Sequence, residues 1–195
     1  MGKRCVLALN GEWLNDDWHR QQLNEDDFLV GVDGGAGHLN RLGFKPHLIV
    51  GDLDSLEGTL LKQLRAEGCE FAVLPREKDF TDTQVALDLV RQRGFRELLL
   101  LGAFGSRADH WLSTLFSLVP LVLAGMTFKI APGQLVSLLA LTPVTGVTTV
   151  GLKYSLLAAS LDPFQPYAVS NEMLSSWAEV SWEQGVLAVY TRAFA

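Results

Sequence analysis

The sequence predicts an α/β fold: an N-terminal, mostly parallel sheet flanked by helices, followed by a C-terminal antiparallel β-sandwich domain. Three observations carry that expectation. Over the first two-thirds of the 195 residues, short apolar runs alternate with segments of helical spacing, the pattern of a parallel sheet covered on both faces. Charged residues collect where those apolar runs end, the side on which open parallel sheets bind ligands. After about Thr127 the texture changes to short runs rich in Val, Leu and Thr, broken by Pro and Gly, which read as antiparallel strands. That change places a domain boundary near 125–132, with 1–128 as one domain and 129–195 as the other.

The elements follow in order. Arg4 to Leu9 is compact and apolar, a first strand. Phe28 to Val32 is a second and exits into Asp33-Gly34-Gly35. Ala36 to Leu42 is helix-like and stops at Gly43. Leu48 to Val50 is a third strand, ending in GDLDS at 51–55. Gly58 to Glu67 carries Leu60, Leu61 and Leu64 at helical spacing, and Gly68 ends it. Phe71 to Leu74 is a fourth strand. Thr81 to Arg93 is a helix with Val85, Ala86, Leu89 and Val90 on one face. Glu97 to Leu101 is a fifth strand, and a helix runs from Asp109 to about Val119. Beyond them LVSLLALTPVTGVTTVGLKYSL, YAVSNE, WAEVSW and VLAVYTR supply the strands of the sandwich.

Composition narrows the function classes. Apolar residues make up 48% of the chain, enough for a sizeable core. The formal net charge is -6 with no long basic run, which argues against a nucleic-acid partner. A phosphate-bearing substrate would then need a cation to screen it. The N-terminal MGKRCVLALNGEW starts basic, but its apolar stretch is short and makes a poor signal peptide. The longest apolar region, Leu112 to Ala124, is broken by Pro120 and falls short of the roughly 20 residues that span a bilayer. Cys5 and Cys69 both lie in apolar strand-like runs and read as reduced core thiols. A soluble cytoplasmic protein without a membrane partner is expected.

Four successive strand exits carry the candidate polar residues: Asp33; Asp52 and Asp54; Lys78, Asp79 and Asp82; and Arg107, Asp109 and His110. In GDLDS two carboxylates stand one residue apart at the edge of the core, where like charges repel and desolvation is costly. Either the stretch is a turn that caps the next helix, or the pair is held for a cation; the four charged exits together favour the cation. Mg²⁺ suits such a place, because it takes one or two carboxylates plus waters and substrate phosphates. DGGAG at 33–37 is either a tight turn into a helix or a point where Gly34 and Gly35 let backbone N–H groups approach a phosphate. KDFTD at 78–82 suits a helix cap through Asp79 or Thr81, which leaves Asp82 open as a metal ligand and Lys78 as a point charge for phosphate. In GSRADH at 105–110, Arg107 either pairs with Asp109 at the surface or clamps phosphate oxygens. His110 reads as structural, with a catalytic role as the alternative.

The ordered blocks DGGAGHLNRLGFKPHLIVGDLDSL, PREKDFTDTQVAL, LGAFGSRADHWLSTL, SLLALTPVTGVTTVGLKYSL and VSNEM resemble the thiamine pyrophosphokinase (thiamine diphosphokinase) family over most of the chain. The resemblance implies an N-terminal α/β catalytic domain and a C-terminal β-sandwich that binds thiamine. It implies transfer of the pyrophosphoryl group from ATP to the thiamine hydroxyl, giving thiamine diphosphate and AMP. By the family pattern Asp52, Asp54 and Asp82 would hold Mg²⁺ and the triphosphate, and together with Arg107 they form the catalytic set. Asp33, Gly34, Gly35, Lys78 and Arg107 would lie at the ATP phosphates. Asp109 would meet the thiamine aminopyrimidine, and Ser170, Asn171 and Trp177 would face thiamine. The family is a homodimer with shared active sites, thiamine lying between the catalytic domain of one subunit and the β-domain of the other.

The chain departs from the pattern at three places. Ser106 and Thr114 stand where Gly and Asn are common, and the stretch from Gly125 to Gly133 is short by about one or two short strands. Two other readings use the same residues: a diphosphokinase for another small alcohol such as a pterin, and a non-catalytic nucleotide- or thiamine-binding protein. The full acidic set argues against the second, because binding alone does not need it. In the enzymatic reading the hydroxyl attacks in line at the β-phosphorus, and positioning with charge neutralisation does most of the work.

Overall fold

The structure, a computed structural model, describes residues 4–77, 79–95, 97–105, 107–118, 135–174 and 177–192. The chain forms two compact units, Met1–Leu118 and Val119–Ala195. The expected boundary at 128/129, and the short junction at 125–133, lie outside the described residues.

The first unit runs β1 (Cys5–Ala8), α1 (Asp16–Gln21), β2 (Phe28–Val32), α2 (Gly35–Arg41), β3 (Leu48–Gly51), α3 (Gly58–Ala66), β4 (Glu70–Val73), α4 (Asp82–Gln92), β5 (Leu98–Leu101) and α5 (Ala108–Leu118). The five strands make one parallel sheet in the order β4-β3-β2-β1-β5. Every residue of β1 and β3 is buried, as a sheet covered on both faces requires. The outer strand β4 is half-exposed and carries Glu70, paired with Arg93; charge on an edge strand discourages pairing with another chain.

Helix α1 was not expected from the sequence. Its residues DDWHRQ carry no apolar stripe, and only His19 is buried. The helix is defined by its ends instead. Asn15 Oδ1 accepts the Trp18 N–H at 2.9 Å, and Asp16 and Asp17 at the start with His19 and Arg20 at the end complement the helix dipole. The cap of α4 is Thr81, whose hydroxyl accepts the Gln84 N–H while the Gln84 side chain accepts the Thr81 N–H, a reciprocal capping box.

The second unit is antiparallel. Strands β6 (Leu135–Ala140), β7 (Val144–Val150), β8 (Ala159–Leu161), β9 (Asn171–Glu172), β10 (Glu179–Ser181) and β11 (Leu187–Arg192) form two three-stranded sheets, β10-β7-β8 and β11-β6-β9. Val136, Leu138 and Leu187 of one sheet and Val144, Val147, Leu161 and Val180 of the other share a single core with Trp182. Two sheets joined through their inner faces are a β-sandwich, as the sequence texture predicted. Cys5 and Cys69 are buried free thiols. Among the described residues no helix is long and apolar enough to cross a membrane.

Candidate active site

From β1 to β4 successive strands add on one side of β1, and β5 then returns to its other side. Ligands bind at such a switch point, outside the carboxyl ends of the strands. Here a cleft of about 360 Å³ opens. Asn10, Gly11 and Glu12 line it after β1, Asp33 after β2, and Gly102 to Gly105 with Arg107 after β5; Thr83, His110, Trp111 and Thr114 complete the wall from α4 and α5. The β1 and β5 exits stay paired beyond their strands. Leu9 N–H donates to Leu101 O at 2.8 Å, Gly11 N–H to Gly102 O at 2.9 Å, and Glu12 N–H to Phe104 O at 2.9 Å. A Cβ at Gly11 would collide with the carbonyl oxygens of Gly102 and Phe104, so this close approach requires glycine. Trp13 Nε1 donates to Leu9 O at 3.1 Å and braces the same loop.

Among the described residues four non-glycine residues have positive φ: Asp33 (50°), Leu53 (66°), Ala158 (47°) and Ser170 (56°). Three of them lie in stretches singled out from the sequence. Such conformations persist only where the surroundings impose them, and they cluster at functional sites. At GDLDS the cause is visible. Leu53 packs against the core of Ile49, Leu56 and Leu64, while Asp52 stays half-exposed and Asp54 exposed on either side of it. Asp54 N–H donates to Asp52 Oδ1 at 3.1 Å, and Ser55 Oγ donates to Asp54 Oδ1 at 3.2 Å. Arg76 lies 3.8 Å from Asp54 in an exposed pair. Helix α3 starts after Glu57 and has no side-chain cap, so the helix-cap reading of GDLDS is not realised. A Cβ at Gly51 would collide with Asp33 Oδ1, which places the Asp33 carboxylate against the start of GDLDS.

Gly34 and Gly35 are explained by packing. A Cβ at Gly34 would strike the Asn10 side chain, and one at Gly35 would strike the Ala8 carbonyl. Asp82 is the first residue of α4, half-buried, next to the cleft residue Thr83. Lys78 and Ser106 lie outside the described residues. Among the described residues no three His, Cys or acidic side chains converge closely enough to hold a metal by themselves. The donor chemistry nevertheless fits Mg²⁺: Asp52, Asp54 and Asp82 offer hard carboxylate oxygens, and this ion needs only one or two with waters and phosphates.

Arg107 lines the cleft and also grips Asp109, through Nε to Oδ1 at 3.2 Å and Nη2 to Oδ2 at 2.5 Å. The two hydrogen bonds from Arg107 hold the Asp109 carboxyl below its ordinary range. Both side chains are exposed, and an exposed pair is weak enough for a phosphate to displace.

In the second unit Ser170 is exposed, and its N–H donates to Ser137 Oγ of β6 at 3.0 Å. Asn171 is buried. Its Oδ1 accepts from Tyr154 and Glu172 N–H at 3.0 Å each, and Nδ2 donates to Tyr154 O at 2.7 Å. Asn171 thereby fixes the turn that presents Ser170. Trp177 is 47% exposed.

The structure therefore brings Asp33 and Arg107 to the cleft and Asp33 to GDLDS. It adds Asn10, Gly11, Glu12 and Thr83, which the sequence reading passed over, and it places Thr114, noted only as a departure from the family pattern, in the cleft wall. The signal was present for the first three: Asn10-Gly11 directly follows the first apolar strand, and the rule applied to the other four exits applies there too.

A model of the thiamin pyrophosphokinase catalytic domain matches residues 19–130, and a model of the thiamin pyrophosphokinase vitamin B1 binding domain matches 126–187. The chain belongs to the thiamine pyrophosphokinase family. Thiamine pyrophosphokinase of Bacillus subtilis (strain 168) is 24% identical, over 84% of this chain and 86% of that protein. Thiamin pyrophosphokinase 1 of Caenorhabditis elegans is 27% identical, over 88% and 82%. Among solved structures, thiamine pyrophosphokinase from Bacillus subtilis superposes with a TM-score of 0.79 at 20% identity, covering 99% of this chain and all of that one. Thiamin pyrophosphokinase from Geobacillus thermodenitrificans gives 0.77 at 27% identity over 98% of both chains. The first of these supports the fold; the family models carry the assignment.

Proposed function

We propose that this chain transfers the pyrophosphoryl group of ATP to the hydroxyl of thiamine, forming thiamine diphosphate and AMP. The observation that carries the reading is the switch-point cleft lined by Arg107 and Asp33, with Asp33 against the GDLDS turn, in a chain of this family. Asp52, Asp54 and Asp82 would hold Mg²⁺ with the triphosphate; bound there, the ion neutralises phosphate charge. Lys78 adds a point charge, and Asp33 with Gly34 and Gly35 borders the phosphates. Arg107 exchanges Asp109 for phosphate oxygens, which it can clamp in pairs. The exchange frees the Asp109 carboxylate to accept a hydrogen bond from the aminopyrimidine. Holding the hydroxyl in line with the β-phosphorus then supplies most of the rate.

Ser170 and Trp177 form the other wall for thiamine, with Asn171 fixing the turn between them and β6. A flat cationic ring system is attracted to an exposed indole. We assign this wall to the partner subunit of a homodimer. The second unit exposes Phe164, Leu157, Leu174, Tyr154 and Tyr167, side chains that an interface between subunits would cover. Domain limits of 1–128 and 129–195 and a reducing, cytoplasmic compartment, which suits two free thiols, complete the reading. Product analysis tests it. Incubation with Mg²⁺, ATP and thiamine should yield AMP in step with thiamine diphosphate, and no AMP without thiamine. Stoichiometric ADP, or equal AMP release with a pterin alcohol in place of thiamine, would overturn it.

A further inference from the structure

Among the described residues of the cleft wall, Thr114 is the only polar side chain that is buried, with 8% of its surface left open. The other buried polar side chains among the described residues are all satisfied. His19 Nδ1 meets Asn15 O at 2.6 Å, Asp27 holds Arg4 at 2.7 Å, Thr149 Oγ1 accepts the Leu156 N–H at 2.8 Å, and Asn171 Nδ2 donates to Tyr154 O at 2.7 Å. The Thr114 hydroxyl has no hydrogen bond among the described residues, yet it is not sealed from the cleft. Ser117, on the same helix, donates to the carbonyl four residues back, Ser113 O, at 2.7 Å; Thr114 does not use that local outlet. Burying a hydroxyl without a partner costs stability. A cost of that kind in the wall of a ligand cleft points to a partner that arrives with the ligand.

We propose that the Thr114 hydroxyl is the hydrogen-bonding anchor for the nucleoside end of ATP. The inference rests on the cleft being the ATP site, with phosphates at Arg107. Arg107, His110, Trp111 and Thr114 line the cleft at helical spacing, so one face of α5 supplies them. Thr114 lies seven residues beyond Arg107, about 10 Å further along the helix, and the sugar and base of a nucleotide extend well away from its phosphates. The surroundings suit that end of the molecule. Leu9 and Val32, both buried and apolar, line the same cleft, and the rings of Phe104 and Trp111 stand with centroids 6.1 Å apart. A single hydroxyl among apolar and aromatic walls is how a pocket fixes the orientation of a flat ligand. A threonine hydroxyl can both donate and accept, so it can meet either kind of atom on a nucleoside. Thiamine is the less suitable occupant, because in the proposed reaction it meets Asp109, which is exposed.

Two variants test this. Thr114→Val replaces the hydroxyl with a methyl of nearly the same shape, and Thr114→Ser keeps the hydroxyl. Calorimetry without thiamine measures the affinity of each for Mg·ATP and for Mg·tripolyphosphate, which has the phosphates and no nucleoside. Thr114→Val should bind Mg·ATP about tenfold more weakly than the parent and Mg·tripolyphosphate equally well. Thr114→Ser should stay within about threefold of the parent for both. Because the hydroxyl satisfies nothing in the unliganded protein, Thr114→Val should melt no lower than the parent, whereas a hydroxyl with a structural role predicts a loss. Unchanged Mg·ATP affinity in Thr114→Val would overturn the assignment, and a raised KM for thiamine alongside it would move the hydroxyl to the other substrate. An equal loss with tripolyphosphate, or a lower melting temperature, would overturn it too. A parent that binds Mg·ATP but releases no AMP with thiamine would refute the proposed reaction and leave this comparison decisive for Thr114; a parent that binds no Mg·ATP would refute both.

Discussion

Leu53 shows how one residue can serve two demands. A left-handed leucine costs about 1–2 kcal/mol in backbone energy, and burial of its side chain offsets that cost while two aspartates remain outside. Asp52→Asn and Asp54→Asn should each lower thiamine-dependent AMP release by about a hundredfold or more. Because both side chains are at least partly exposed, urea denaturation should shift by no more than about 0.5 kcal/mol. Near-normal turnover in both variants would refute a metal role. At this scale charge marked Asp33 and Arg107, the two expected residues that line the cleft. Asp33, Asp52, Asp54, Asp82 and Arg107 stand out because charge is rare beside apolar strands. Gly11 acts through a main-chain contact and bare Cα space, and Asn10 through a side chain set against Gly34, which leave only a faint mark on composition. The grip of Arg107 on Asp109 was one of two readings the spacing allowed, and only coordinates separate them.

At the scale of elements, the parallel sheet was legible because each strand is a short, unbroken apolar run and each longer helix repeats its apolar residues. Helix α1 was not, because nothing periodic is buried along it; a six-residue helix held by Asn15 and its end charges resembles a polar loop in sequence. The loop that follows it is fastened to β1 by Arg4, whose Nε and Nη2 donate to Asp27 at 2.9 and 2.7 Å, while Asn24 N–H adds a third bond at 2.8 Å. Burial alone would raise the Asp27 pKa, but these bonds overcome it and hold the carboxyl below its usual range. A depressed folded-state pKa contributes stability that is present above the unfolded value of about 3.9 and is lost as pH falls through the folded value. Asp27→Asn should therefore cost about 2–4 kcal/mol at pH 7 and flatten the dependence of urea midpoint on pH below 4. A variant that kept the parent's acid slope would show that other carboxylates set it.

For the whole molecule, the proposal that thiamine sits between subunits makes a prediction about mixtures. Asp52→Asn lies in the first unit and Trp177→Ala in the second. If each site draws on both subunits, one site of a mixed dimer carries both lesions and the other carries neither, so activity absent from either parent should return. Isolated heterodimers as impaired as the two clearly impaired homodimers would rule out the shared site. Cys5, the first residue of β1 with Phe28 and Leu98 opposite it in β2 and β5, adds something of another kind. Burial pushes its thiol up to about 12, so at neutral pH about one molecule in 10⁵ presents the nucleophilic thiolate. An alkylating reagent is blind to it until β1 leaves the sheet. The chain thus carries a native stopwatch: the rate at which Cys5 becomes blocked reports how often the first unit opens, and how far a bound nucleotide slows that opening, with no foreign label attached.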